Sequence, residues 1–143
     1  MLARALIAAS SAILFLLGSV HLLYTYWGPK LLPRDAGLIE AMQGAQLRLT
    51  AETTVWRTWI GFNASHSLCA ILFGLIFGYL ALQQPELLFR SLYLQAVGLG
   101  LLLAFVVLAK LYWFSIPFMG VSLALGCYVG GLVAARVWSV SPA

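Results

Sequence analysis

Four long stretches of the chain contain no Asp, Glu, Lys or Arg, and they constrain the fold more than any other feature of the sequence. They run from 5 to 29, 58 to 85, 91 to 109 and 111 to 135. Each is close to or above the roughly 20 residues that a helix needs to cross a hydrocarbon core about 30 Å thick. None alternates polar and apolar residues as a barrel strand does. The pattern predicts an all-α polytopic membrane protein, a four-transmembrane-helix bundle.

Composition excludes the main alternatives to a membrane protein. Hydrophobic residues make up 63% of the 143 residues and charged residues only 8%, whereas a soluble domain carries roughly 25% charged residues. This hydrophobicity also excludes intrinsic disorder. The net charge of +4 comes from eight basic and four acidic residues spread along the chain, so no nucleic-acid partner is expected. The bilayer is the expected environment.

Turns and interfacial aromatic residues place the spans near 5–27, 55–82, 88–109 and 115–137, in a single transmembrane domain, 1–143. Tyr26 and Trp27 are typical of a membrane-interface belt, and Gly28 with Pro29 ends the first helix. This first span is longer than the apolar region of a signal peptide and has no small-residue cleavage site. We therefore expect it to stay in the membrane as a helix.

The one long connection, from Gly28 to Arg57, contains an amphipathic segment. Its apolar residues recur at helical spacing, and Asp35 is a suitable N-cap. We expect a short amphipathic interfacial helix from Asp35 to Leu49, between helices one and two. Thr50 is expected to cap a helix that continues into the second span.

The two histidines of the chain both fall within predicted spans, where polar side chains are costly. His21 lies six residues before Trp27, and His66 lies eight residues after Thr58. At about 1.5 Å per residue, these positions are about 9 Å and about 12 Å below the same membrane surface. Because helices one and two run antiparallel, the sequence predicts that the two histidines approach each other.

One face of the second helix changes from aromatic to polar to small along its length. At about 100° per residue, this face carries Glu52, Trp56, Trp59, Asn63, His66, Ser67, Ala70 and Gly74. With His21 and Tyr24 opposite, it predicts a pocket whose aromatic walls and few polar groups suit a small lipophilic molecule. The candidate catalytic residues are His21, His66, Asn63 and Glu52, and the candidate ligand-binding residues are Tyr24, Trp56, Trp59 and Ser67.

Several of these residues also have a purely structural interpretation. Asn63 and Ser67 could form hydrogen bonds between helices. Glu52, expected in the first turn of a helix, could stabilise the helix dipole. The tryptophans could anchor the helix at the membrane surface. No metal site is expected, because two histidines without a nearby intramembrane carboxylate make a poor zinc site.

Four segments resemble those of a small bacterial family of four-helix integral membrane proteins. They are 21–25 (HLLYT), 33–35 (PRD), 56–67 (WRTWIGFNASHS) and 112–117 (YWFSIP). The architecture is also similar to DoxX-like proteins and to the EXPERA group, which includes sterol isomerases. The resemblance implies a bacterial inner membrane protein whose bundle holds a lipophilic substrate. Here no Asp or Glu lies within a predicted span, so proton transfer would rest on His21, His66 and Glu52.

Three functions fit these observations. The first is an enzyme without cofactor, in which the histidines act as acid and base in an isomerisation, cyclisation or hydration of a lipophilic molecule. The second is a haem-binding membrane protein with His21 and His66 as axial ligands. The third is an accessory subunit of a larger membrane complex, or a lipid-binding protein with no chemistry. Gly126 and Gly130 allow close helix packing, which suits a homodimer or a larger membrane complex.

Overall fold

The computed structural model describes residues 1–139 and, for side chains, residues 1–137. Its helices are α1 (Leu2–Tyr26), α2 (Ala36–Gly44), α3 (Val55–Gln83), α4 (Pro85–Arg90), α5 (Leu92–Tyr112) and α6 (Ser115–Ser139), and residues 1–139 contain no strand. Four of them, α1, α3, α5 and α6, are long and apolar enough to cross a membrane. The predicted all-α membrane fold is confirmed, with a short helix between the first two spans.

The short helix α2 begins where the sequence predicts and ends earlier. The side chain of Asp35 accepts a hydrogen bond from the backbone N–H of Gly37 at 2.9 Å, which caps the helix. The predicted continuation to Leu49 is wrong, because Ala45 is extended and Gln46 instead forms an isolated β-bridge with Thr54. Residues 46–54, which we call the 46–54 loop, therefore separate α2 from α3.

The cap of α3 is Thr54, and the prediction of Thr50 is wrong. The Thr54 hydroxyl accepts a hydrogen bond from the backbone N–H of Arg57 at 3.3 Å. The backbone N–H of Val55 donates to the carbonyl of Ala45 at 2.9 Å, which fixes the point where the helix begins. Thr50 accepts from the N–H of Glu52 at 3.1 Å and so forms a turn inside the loop.

The third span begins at Leu92 and not near residue 88. Ser91 is extended, and its hydroxyl accepts from the backbone N–H of Leu94 at 3.3 Å. The side-chain amide of Gln95 donates to the carbonyls of Leu88 and Phe89, at 3.2 and 2.8 Å. These bonds satisfy the last carbonyls of α4, which makes a break between α4 and α5 stable.

The described chain forms two compact units. One comprises residues 1–17 with the chain from residue 70 onward, and the other comprises Gly18–Cys69. The boundaries fall inside α1 and α3. The second unit contains every candidate site residue, and a single domain over 1–143 stays a prediction.

Glycines allow close helix packing in the first unit. A Cβ added to Gly74 of α3 would lie 2.7 Å from the carbonyl oxygen of Ser11 in α1. On α5, Gly98 leaves room for the ring of Tyr128, which is fully buried and lies 5.7 Å from the ring of Phe77. Small residues at these positions let the helix backbones approach one another.

Candidate functional site

The two histidines of the chain lie side by side in the second unit. The ring of His21, on α1, is 5.4 Å from the ring of His66, on α3, between centroids. The rings are inclined by 75°, so the edge of one faces the other. The predicted approach of the two histidines is confirmed, while their chemical role stays a prediction.

Asn63 fixes the proton on one nitrogen of His21. The side-chain nitrogen of Asn63 donates to the carbonyl of Trp59 at 2.8 Å, so the amide oxygen is the atom that faces His21. This oxygen lies 3.0 Å from Nε2 of His21. An amide oxygen only accepts hydrogen bonds, so Nε2 carries the hydrogen and the basic nitrogen of the neutral ring is Nδ1.

Two hydroxyl groups donate hydrogen bonds to backbone carbonyls of this site, each from a residue one helical turn further along the chain. Thr25 donates to the carbonyl of His21, and Ser67 donates to the carbonyl of Asn63, each at 2.8 Å. The side chain of Ser67 is fully buried. Since its hydrogen is used within α3, Ser67 supports the position of Asn63, and a direct ligand contact stays a prediction.

Tyr24 contacts Lys30, which is not among the site residues predicted from the sequence. The Nζ of Lys30 donates to the Tyr24 hydroxyl at 2.9 Å and lies 4.3 Å from the centre of the ring. Gly28 has a φ of +89°, a conformation that favours glycine and turns the chain after α1. The contact with Lys30 places a positive charge beside Tyr24.

Of the remaining candidate site residues, Trp56 and Trp59 lie on α3 and Glu52 lies outside it. Trp56 is half-buried and lies one turn of α3 before Trp59, which is 42% exposed and supplies the carbonyl that orients Asn63. Glu52 is exposed in the 46–54 loop, three residues before α3 begins. The expectation that it lies on the helical face, or in the first helical turn, is therefore wrong, and its placement does not support a catalytic role.

The contacts of the histidines do not fit a haem. Axial ligation needs the two coordinating nitrogens on opposite faces of the macrocycle. Here Nε2 of His21 is bonded to Asn63, and the two rings are in edge-to-face contact. No group of three His, Cys, Asp or Glu that could hold a metal ion occurs within residues 1–139.

The hydrogen bond between His21 and Asn63 gives a direct stability test. We expect His21→Leu and Asn63→Leu to be non-additive, with a coupling free energy of about 0.6–1.7 kcal/mol, the range for hydrogen bonds between membrane helices. A double-mutant cycle of unfolding in mixed detergent micelles measures this coupling. The pair Ser65→Ala and Asn63→Leu is the control, because the Ser65 hydroxyl donates to the carbonyl of Phe62. Additive effects of the His21 and Asn63 substitutions would contradict the assigned hydrogen bond.

The site is not closed off from its surroundings. His21, Asn63 and His66 are each partly exposed, and they lie on α1 and α3, two of the four helices long and apolar enough to cross a membrane. Comparison with family models, with curated proteins and with solved structures finds no match to this chain.

Proposed function

We propose that the protein is a membrane-embedded enzyme that moves protons on a lipophilic small molecule, with His21 and His66 as the acid/base pair. The observation that carries the proposal is the edge-to-face contact of two intramembrane histidines, one of them oriented by Asn63. Ionisable residues inside a membrane are costly and are typical of functional sites. A structural role for one histidine does not require the second beside it.

The assigned tautomer gives each histidine a separate task. With Nε2–H of His21 bonded to Asn63, Nδ1 is the atom that can accept a proton from a carbon of the substrate. The protonated ring of His66 then delivers a proton to a second substrate atom. In an isomerisation, the substrate loses one proton and gains another, and the proton held by His21 returns to His66, directly or through water. The pair is thereby restored, and no oxidant, reductant or cofactor is consumed. Cyclisation also needs only proton transfer, and hydration adds one water molecule.

The surroundings of the histidines suit a lipophilic substrate. Tyr24 lies one turn after His21 on α1 and offers aromatic surface, as Trp56 does further along the same face of α3. Lys30 beside the Tyr24 hydroxyl can orient a polar end of the molecule. The resemblance to the EXPERA group supports a substrate that enters from the bilayer. In this chain, histidines would replace the intramembrane acids of that group.

Solvent deuterium provides a test that needs no knowledge of the substrate. The purified protein is incubated in D₂O with a total lipid extract of the source cells, and the lipids are analysed by mass spectrometry. Proton transfer at carbon introduces deuterium that does not exchange back in water. We expect one lipophilic species to gain deuterium with the protein and not without it. An extract unchanged after prolonged incubation would contradict the proposal.

One observation favours a second candidate, a homodimer or an accessory subunit of a larger membrane complex. Gly126 on α6 is exposed, and a Cβ there would meet nothing within 4 Å. Gly130 follows one turn later, and this spacing suits close approach of another helix. Gly126→Leu would then release the partner in native mass spectrometry of the detergent-solubilised protein, whereas the enzyme proposal expects no such effect.

A further inference from the structure

A cavity of about 460 Å³ lies in the first unit, at the start of α1, beside α4 and near the end of α6. It combines apolar and cationic surface. The apolar side chains include Leu2, Phe89 and Leu132, and the cationic ones are Arg4, Arg90 and Arg136. None of these residues belongs to the histidine site, so the cavity stands independently of the proposed enzyme.

The charge of the cavity is strongly positive. Three of the eight basic residues of the chain line it, against one acid, Glu86, which leaves a net charge of +2. Glu86 and Arg90 are separated by 3.8 Å, and both side chains are more than four-fifths exposed. An ion pair this long and exposed is weak and leaves Arg90 able to bind another anion.

Two of the cavity walls are fixed by hydrogen bonds before any ligand binds. Arg4 donates from Nε to the carbonyl of Ala81 at 3.1 Å and from Nη2 to that of Leu82, in the last turn of α3. A guanidinium has five N–H groups, so three remain for an anion. Gln95 holds the carbonyl of Phe89 in α4 at 2.8 Å. A site that is already ordered loses less entropy on binding.

We propose that this cavity binds the phosphate headgroup of an anionic phospholipid. Guanidinium groups match phosphate oxygens in charge and in geometry. The cavity lies at the ends of membrane-spanning helices, which is the level of the headgroups. Basic pockets between transmembrane helices bind anionic headgroups in this way. The adjoining apolar surface at Leu2, Phe89 and Leu132 accepts the first part of an acyl chain, which a free phosphate ion would leave uncovered.

Native mass spectrometry with added lipid tests the proposal. The full chain in mild detergent is titrated with dioleoyl phosphatidylglycerol or with dioleoyl phosphatidylcholine, and the bound lipids are counted. We expect one phosphatidylglycerol to bind in clear preference to phosphatidylcholine. Arg90→Gln and Arg136→Gln should each weaken binding about fivefold, and together about 25-fold, from about 1 kcal/mol for each cation.

Matched controls separate a built site from general attraction to positive charge. Arg34→Gln and Arg48→Gln remove the same charge from the connection between α1 and α3, and they should leave phosphatidylglycerol binding unchanged. Equal weakening by these variants, or equal binding of the two lipids, would overturn the proposal. In a second experiment, millimolar inorganic phosphate is added to the protein with phosphatidylglycerol bound. Its failure to displace the lipid supports a phospholipid site, and full displacement would show a site for small anions instead.

Discussion

Replacing His66 by Gln is expected to lower the rate of deuterium incorporation by about 10²–10⁴-fold, the contribution of a positioned acid or base. Glutamine keeps a polar side chain of similar length, but it neither accepts nor delivers a proton near neutral pH. His21→Gln should cause a loss of similar size, because the mechanism needs both a donor and an acceptor. The measurement is the rate at which the lipophilic species gains deuterium in D₂O.

Ser65→Ala is the matched control for both histidine variants. Ser65 is the neighbour of His66 on α3, is exposed, and donates its hydroxyl to the carbonyl of Phe62 at 3.0 Å. We expect this variant to react at the rate of the unaltered protein. Thermal unfolding in detergent shows whether each variant is folded. A folded His66→Gln protein with a full rate would show that the histidine is structural, and the accessory-subunit candidate would then lead.

The second large effect is expected on stability, at Gly74. A Cβ there would lie 2.6 Å from Cβ of Phe15, 2.7 Å from the carbonyl oxygen of Ser11 and 3.0 Å from Cα of Phe15. Two of these atoms belong to the backbone of α1, so no rotamer change relieves the contact. We expect Gly74→Ala to lower the free energy of unfolding by about 1–3 kcal/mol, the cost of overpacking, measured in mixed detergent micelles.

Gly78→Ala provides the comparison for Gly74→Ala. Gly78 lies one turn further along α3, and a Cβ there would meet Cβ of Ser11 at 3.5 Å, an ordinary van der Waals distance. Alanine also has the higher helix propensity, so this variant should match or exceed the unaltered protein in stability. Equal destabilisation by both substitutions would contradict the close approach of α1 and α3 at Gly74.

The fold was predictable because its main determinant is local in the sequence. A run of about 20 predominantly apolar residues favours a helix that can cross a membrane, because the helix satisfies its own backbone hydrogen bonds. The approach of the histidines was also predictable, because a helix has a fixed rise per residue and two adjacent spans run antiparallel. Depth counted from Trp27 and Thr58 was therefore enough to pair His21 with His66.

The remaining features depend on contacts between residues that are distant in the sequence. Thr50 and Thr54 are equally good caps by residue type, and the choice is made by the bridge between Gln46 and Thr54. The break at Ser91 is stabilised by the side chain of Gln95. Lys30 contacts Tyr24 across the backbone turn at Gly28, where φ is +89°. Helical periodicity in the sequence does not predict contacts of these kinds.

Helical periodicity in the sequence does not predict the arginine-lined cavity of the first unit. Arg4 on α1 and Arg90 on α4 are 86 positions apart in the sequence, and Arg136 on α6 lies 46 positions after Arg90. In the sequence each is a single charge beside a span, as interfacial anchors are. Only the packing of the first unit brings them around one volume.

The two ends of the 46–54 loop are held together by hydrogen bonds, so the loop can accept an insertion. Its ends are tied by the β-bridge of Gln46 with Thr54 and by the hydrogen bond from Val55 to Ala45, while Arg48 and Leu49 between them are exposed. Lengthening such a loop adds only a slowly growing closure entropy, about 0.6 kcal/mol for each doubling. An epitope or affinity tag inserted between Arg48 and Leu49 would leave α2 and the start of α3 in place, which offers a handle for purification away from both chain termini.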